Sequence, residues 1–178
     1  MRVLTTLLAL ILSGCASIPL STIAHFSTFN VQSIAGIAPD QVRVRIAVPV
    51  GYEVDPAQSQ LTISLTTKTG ETVERAMELR RLGVTKIQRS AGMFSHEVSV
   101  NSYELALSPH GVQNMLQLQQ FALAEKLGAY RFQVNTKFAS VPANARSIQI
   151  WADIKLALSD PYVKVIDGGE IEFEQKRG

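Results

Sequence analysis

Apolar and polar residues alternate with a period of two along most of the chain after residue 40. Val42, Val44, Ile46 and Val48 share one side of a segment whose other side carries Arg43 and Arg45, the pattern of a half-buried strand. Leu61, Ile63 and Leu65 alternate with Thr62, Ser64 and Thr66, and Lys68-Thr69-Gly70 offers a tight reversal into Val73, Arg75, Met77 and Leu79. Glu97–Leu107 predicts another strand, with a slip of phase. Val98 and Val100 fall on one register and Tyr103, Leu105 and Leu107 on the other, which predicts a bulge near Asn101-Ser102. Residues 130–138 and 148–158 alternate cleanly. Residues 162–166 lead into Asp167-Gly168-Gly169, a hairpin signal, before Ile171 and Phe173. Residues 86–92 and 141–146 read as loops.

One stretch departs from this period. Ser108 can cap a helix and Pro109 suits its first turn. Val112, Met115, Leu116, Gln119, Ala122, Leu123 and Leu127 then recur at helical spacing, widened by Leu118 and Phe121, with Gly128 just past the end. The spacing predicts a helix near 109–127. Its remaining face is uncharged, with Gln113, Asn114, Gln117 and Gln120, so Gln113, Gln117 and Gln120 are candidate contact residues for another protein. About eight strands and one helix, separated by turn signals, predict a mainly β domain over 41–178. The expected form is an antiparallel two-sheet sandwich of immunoglobulin-like or transthyretin-like type, with a barrel as the alternative. The Glu170, Glu172 and Glu174 row would keep a closing edge strand soluble.

The N-terminus follows neither period. Met1-Arg2 is followed by an apolar run from Val3 to Leu12, broken only by Thr5 and Thr6, and then by Ser13-Gly14-Cys15. A positive start, an apolar core of roughly ten residues and a small-residue exit form the layout of a secretory signal. The run is too short to span a bilayer, which takes about 20 apolar residues. Leu12-Ser13-Gly14-Cys15 resembles the lipobox of bacterial lipoprotein precursors. The resemblance implies cleavage after Gly14, a diacylglyceryl group on the Cys15 thiol and acylation of the new amino group. Ala16, in place of the aspartate that retains such proteins at the inner membrane of enteric bacteria, implies the periplasmic face of the outer membrane. Residues 1–14 would then be a cleaved signal and 15–40 the lipidated N-terminus and tether. The tether carries Phe26, Phe29, Val31, Ile34 and Ile37, more apolar than a disordered linker, so its later part, from Phe26 on, is expected to pack on the domain or a partner.

Composition narrows the classes that remain. Of 178 residues, 164 would follow the cleavage, with 16 basic against 15 acidic side chains once Arg2 is gone. That balance gives no electrostatic reason to bind nucleic acid. Arg80-Arg81 could touch lipid headgroups, but reads first as a pair of solvated strand-end residues. The lone cysteine would be acylated, which leaves no disulfide and a fold resting on its apolar core. His25, His96 and His110 lie far apart without ligand spacing, and no nucleophile motif or phosphate loop occurs. Asp153, Asp160 and Asp167 read as turn and strand-end residues rather than a calcium site. Trp151 falls on the polar side of its strand, between Gln149 and Asp153. It is either a contact residue or a side chain covered on the sheet's outer face by the helix or the N-terminal segment. The expectation is a non-catalytic lipoprotein without metal or cofactor beyond its covalent lipid, binding a protein partner in a cell-envelope complex. The small sandwich lipoproteins of type VI secretion systems resemble it in architecture alone. The alternative is a carrier of lipid or another small ligand.

Overall fold

The computed structural model describes residues 31–90 and 97–173. Among the described residues there are two helices, α1 (Val31–Ala35) and α2 (Pro109–Ala124), with a 3-10 turn at Pro39–Gln41. The strands are β1 (Arg43–Pro49), β2 (Glu53–Thr67), β3 (Thr72–Ser90), β4 (Glu97–Leu107), β5 (Leu127–Ser140), β6 (Ser147–Lys155) and β7 (Val163–Glu172). All pairings are antiparallel, in the order β5-β2-β3-β4-β1-β6-β7. The molecule is thus mainly β, as the alternation requires, but its seven strands form one curled open sheet rather than two sheets of a sandwich.

The reason is the length of β3. Its first half, Thr72–Glu78, pairs with β2, and its second half, from Leu79 to Ser90, pairs with β4. One continuous 19-residue strand therefore belongs to both halves of the molecule. A slip at Arg81/Gly83, which leaves Leu82 as the extra residue, falls just past the point where the partner changes. Residues 86–90, expected as loop, are the end of this strand. The bulge expected near Asn101-Ser102 is absent, because β4 pairs without interruption from Val100 to Ala106 with β1. The phase slip in its sequence reflects burial on both faces instead. Tyr103, Leu105 and Leu107 enter the main core, and Val100 enters a second cluster on the opposite face.

Two further expectations change. Asp167-Gly168-Gly169 does not reverse the chain. Trp151 pairs with Asp167 and Ile150 with Gly169, so Gly168, at φ +71°, is the extra residue of a bulge inside β7. The helix ends at Ala124, and Leu127 and Gly128 already belong to β5. The reversal at Lys68-Thr69-Gly70 does form, with Gly70 at φ +94°.

The main core gathers Val44, Ile46 and Val48 of β1, Leu61, Ile63 and Leu65 of β2, and Ile148, Ile150 and Ile154 of β6. Met115, Leu118 and Ala122 of α2 and Ile34 of α1 complete it. α2 lies where the first half of β3 has, among the described residues, no strand partner on its second edge. Ser108 N–H donates to the Glu78 carbonyl at 2.8 Å, and Asn114 Nδ2 donates to the Ala76 carbonyl at 2.8 Å. Backbone groups that would otherwise be orphaned are satisfied this way. Gly111 makes the approach possible, since a Cβ there would stand 2.5 Å from the Glu78 oxygen. Ser108 Oγ caps the helix by accepting from Gly111 N–H at 3.0 Å.

Candidate functional site

Among the described residues, the candidates for chemistry are not brought together. Cys15, His25 and His96 lie outside the described residues. His110 Nδ1 sits 3.0 Å from Glu78 Oε1, on the surface. Asp153 pairs with Arg89, Asp167 accepts from Lys164 Nζ at 2.8 Å, and Asp160 accepts from Ser159 Oγ at 3.3 Å. No group of three or more metal-ligating side chains forms among the described residues. No described helix is long and apolar enough to cross a membrane.

Trp151 is 1% exposed and packs with Ala47 and Val100, flanked by Ile87 and Val98. This second cluster lies on the outer face of β1, β4 and β6. Arg89 of β3 meets Asp153 of β6 there, although β4 and β1 separate the two strands. Three strand spacings in a flat sheet come to ~14 Å, more than one arginine side chain spans. The β3–β4 ribbon must therefore curl over the outer face, and it is this ribbon that covers the indole. Arg89 Nε, Asp153 Oδ1 and Trp151 Nε1 are buried there without a hydrogen-bond partner among the described residues.

The exposed side of α2 is the surface that stands apart. Gln113, Leu116, Gln117, Gln120, Leu123 and Ala124 are all exposed, spaced to form one stripe along the helix. Leu116 is 46% and Leu123 67% exposed. Helical spacing alone assigns both leucines to the core side, together with Met115 and Ala122. The structure instead turns them outward and uses Met115, Leu118, Gln119 and Ala122 as the buried row. Gln119 is polar yet buried because its Nε2 donates to the Ile34 carbonyl at 2.9 Å and the Ile37 carbonyl at 2.7 Å. It pins α1 and the following turn against α2. The outward stripe from Gln113 to Ala124 carries no formal charge over about three turns, so a partner can cover it without desolvating an ion.

A second cluster has no counterpart among the motifs of the sequence. Tyr162 lies under Arg45, whose guanidinium carbon is 3.7 Å from the ring centroid, with Lys155 Nζ at 4.8 Å. Its hydroxyl donates to Glu104 Oε1 at 2.7 Å. Burial, then this hydrogen bond, pushes the phenol up to about 12. Only β1–β4 and β1–β6 pairing brings residues 45, 104 and 155 beside residue 162. No local signal in the sequence predicts that meeting.

Comparisons with protein-family models, with curated proteins and with solved structures each found no match.

Proposed function

We propose that this protein is a lipoprotein anchored on the periplasmic face of the outer membrane, serving as a non-catalytic binding or assembly subunit of a cell-envelope complex. The anchor rests on Leu12-Ser13-Gly14-Cys15 after its short apolar run. The binding role rests on one observation, the uncharged Gln/Leu stripe presented by a helix fastened at Ala76, Glu78, Ile34 and Ile37. A rigidly held helix face loses little freedom on association.

The test is crosslinking in cells followed by purification of the acylated protein. The variant carrying Gln113→Lys, Gln117→Lys and Gln120→Lys should lose its crosslinked partner while keeping its melting temperature. Retention of the same partner would refute the role of the stripe. Mass spectrometry of the native protein should show an acylated Cys15, and an intact leader would refute the anchor.

The carrier reading draws on a different feature. Tyr130, Phe132, Val134 and Phe138 stay only partly buried along edge strand β5. A lipid extracted from the purified protein in stoichiometric amount would favour that reading.

A further inference from the structure

Register places three cations in one line across the outer face of the sheet. Arg80 of β3 stands opposite Ala106 of β4, Ala106 opposite Arg43 of β1, and Arg43 opposite Lys155 of β6. Arg45 and Tyr162 flank the line. Of the carboxylates nearby, Asp153 is paired with Arg89, and Glu104, which accepts from the neutral Tyr162 phenol, leaves one negative charge opposite Arg45 against the three cations of the line. Asp40 and Asp160, on the adjoining turns, form no ion pair with the line among the described residues. Arg43 donates to the Asp40 and Val42 carbonyls at 2.7 and 2.9 Å, contacts that leave its charge uncompensated. Leu158, 51% exposed, projects from the loop that follows Lys155, and its N–H donates to Gln41 Oε1 at 3.3 Å.

The line lies where the chain enters the domain. α1 and the Pro39–Gln41 turn run directly into Arg43. Ser33, Gly36 and Ile37 border one cleft of about 320 Å³ together with Leu156, Ala157 and Asp160. Any anchor N-terminal to residue 31 therefore reaches the domain at this end. Unpaired cations, a partly exposed tyrosine and an exposed leucine on one end suit a surface that is anionic above and apolar below.

We propose that this end, through Arg43, Arg80 and Lys155, rests on the anionic headgroups of the membrane and so orients the sheet upright on its tether. The proposal deepens the membrane-anchored reading above and rests on it for the presence of a bilayer.

The test uses the chain from residue 15 onward with Cys15→Ser, which lacks the acyl groups; every described element lies after residue 30. Sedimentation with phosphatidylglycerol-containing vesicles should exceed that with phosphatidylcholine vesicles, and added salt should abolish the difference. Arg80→Gln with Lys155→Gln should lower binding to anionic vesicles about tenfold, because each cation near an anionic surface strengthens binding severalfold. Neither side chain holds the backbone, so the variant should stay folded, with only a small drop in melting temperature from the lost Lys155–Tyr162 contact; adding Arg43→Gln should remove the remaining preference. Equal binding to the two vesicle types, or unaltered binding by the double variant, overturns the proposal. Displacement from vesicles by inorganic phosphate at constant ionic strength also overturns it, in favour of a soluble anion. Acylation of Cys15 is read separately by mass spectrometry. A headgroup preference in a chain whose native Cys15 is bare would leave the patch standing and sink the anchor.

Discussion

Tyr162 shows how much one side chain depends on neighbours that lie far away in sequence. Its phenol is held near 12 by burial first and by its hydrogen bond to Glu104 second, against an ordinary value of 10.0. The folded protein therefore keeps the proton over a range in which the unfolded chain has lost it. The unfolded state binds fewer protons there, so stability falls as pH rises through the window from 10 to about 12, and below 10 the contribution is fully present. Denaturant midpoints measured across that window should fall, and Tyr162→Phe should flatten the decline. Tyr130, whose phenol is also raised by burial, adds a loss of the same sign that Tyr162→Phe leaves in place. Gln119 and Trp151 show the same dependence on distant neighbours. A glutamine at a core position and a tryptophan on a polar strand face are ambiguous in sequence. The Ile34 and Ile37 carbonyls settle the first, and the curled β3–β4 ribbon settles the second.

At the level of elements, α2 was legible because capping and periodicity agree from Ser108 onward. Its orientation was not. Leu116 and Leu118 both fit an apolar stripe, and only docking against β3 decided which of them is buried. That docking depends on Gly111, where any Cβ would meet the Glu78 backbone at 2.5 to 3.1 Å. Gly111→Ala should cost about 2 kcal/mol by forcing the helix off the strand, read as a lower urea midpoint, even though alanine is the better helix former. In β7, Asp-Gly carries a positive φ in either of two structures, a two-residue hairpin turn or a bulge. Residues 163–172 pair with β6 on both sides of Gly168, and that pairing selects the bulge. A tertiary partner, not the dipeptide, made the choice.

The described strands form one curled sheet whose edge strands are β5 and β7. They come together at one end, where Phe138 and Phe173 pack edge to face at 5.9 Å and Tyr52 stacks on Phe173 at 6.3 Å. On the other face, the Arg89–Asp153 pair closes the ribbon over Trp151. Arg89→Gln would leave the carboxylate of Asp153, 3% exposed, buried without its cation. The expected cost is about 3 kcal/mol. Asp153→Asn in the same chain should recover part of it, because an amide pair leaves no buried charge. Thermal unfolding of the two single variants and the double variant measures the coupling. Recovery in the double variant identifies a clasp, and additive losses would show that the two side chains act independently.

The alternation of side chains fixed the class of the fold, because one strand face must be buried and one must not. It also placed most of the strands, the one long helix and the turn at Lys68–Gly70. Those are local matters, settled within a few residues by sterics and solvation. Whether the strands form two sheets or one depended on β3 continuing through its change of partner from β2 to β4. Which helix face points outward, and which cations stand in line across β3, β4, β1 and β6, depended likewise on register between strands distant in sequence. Pairing energy accrues across the chain rather than along it, so those choices became visible only when the sheet was assembled.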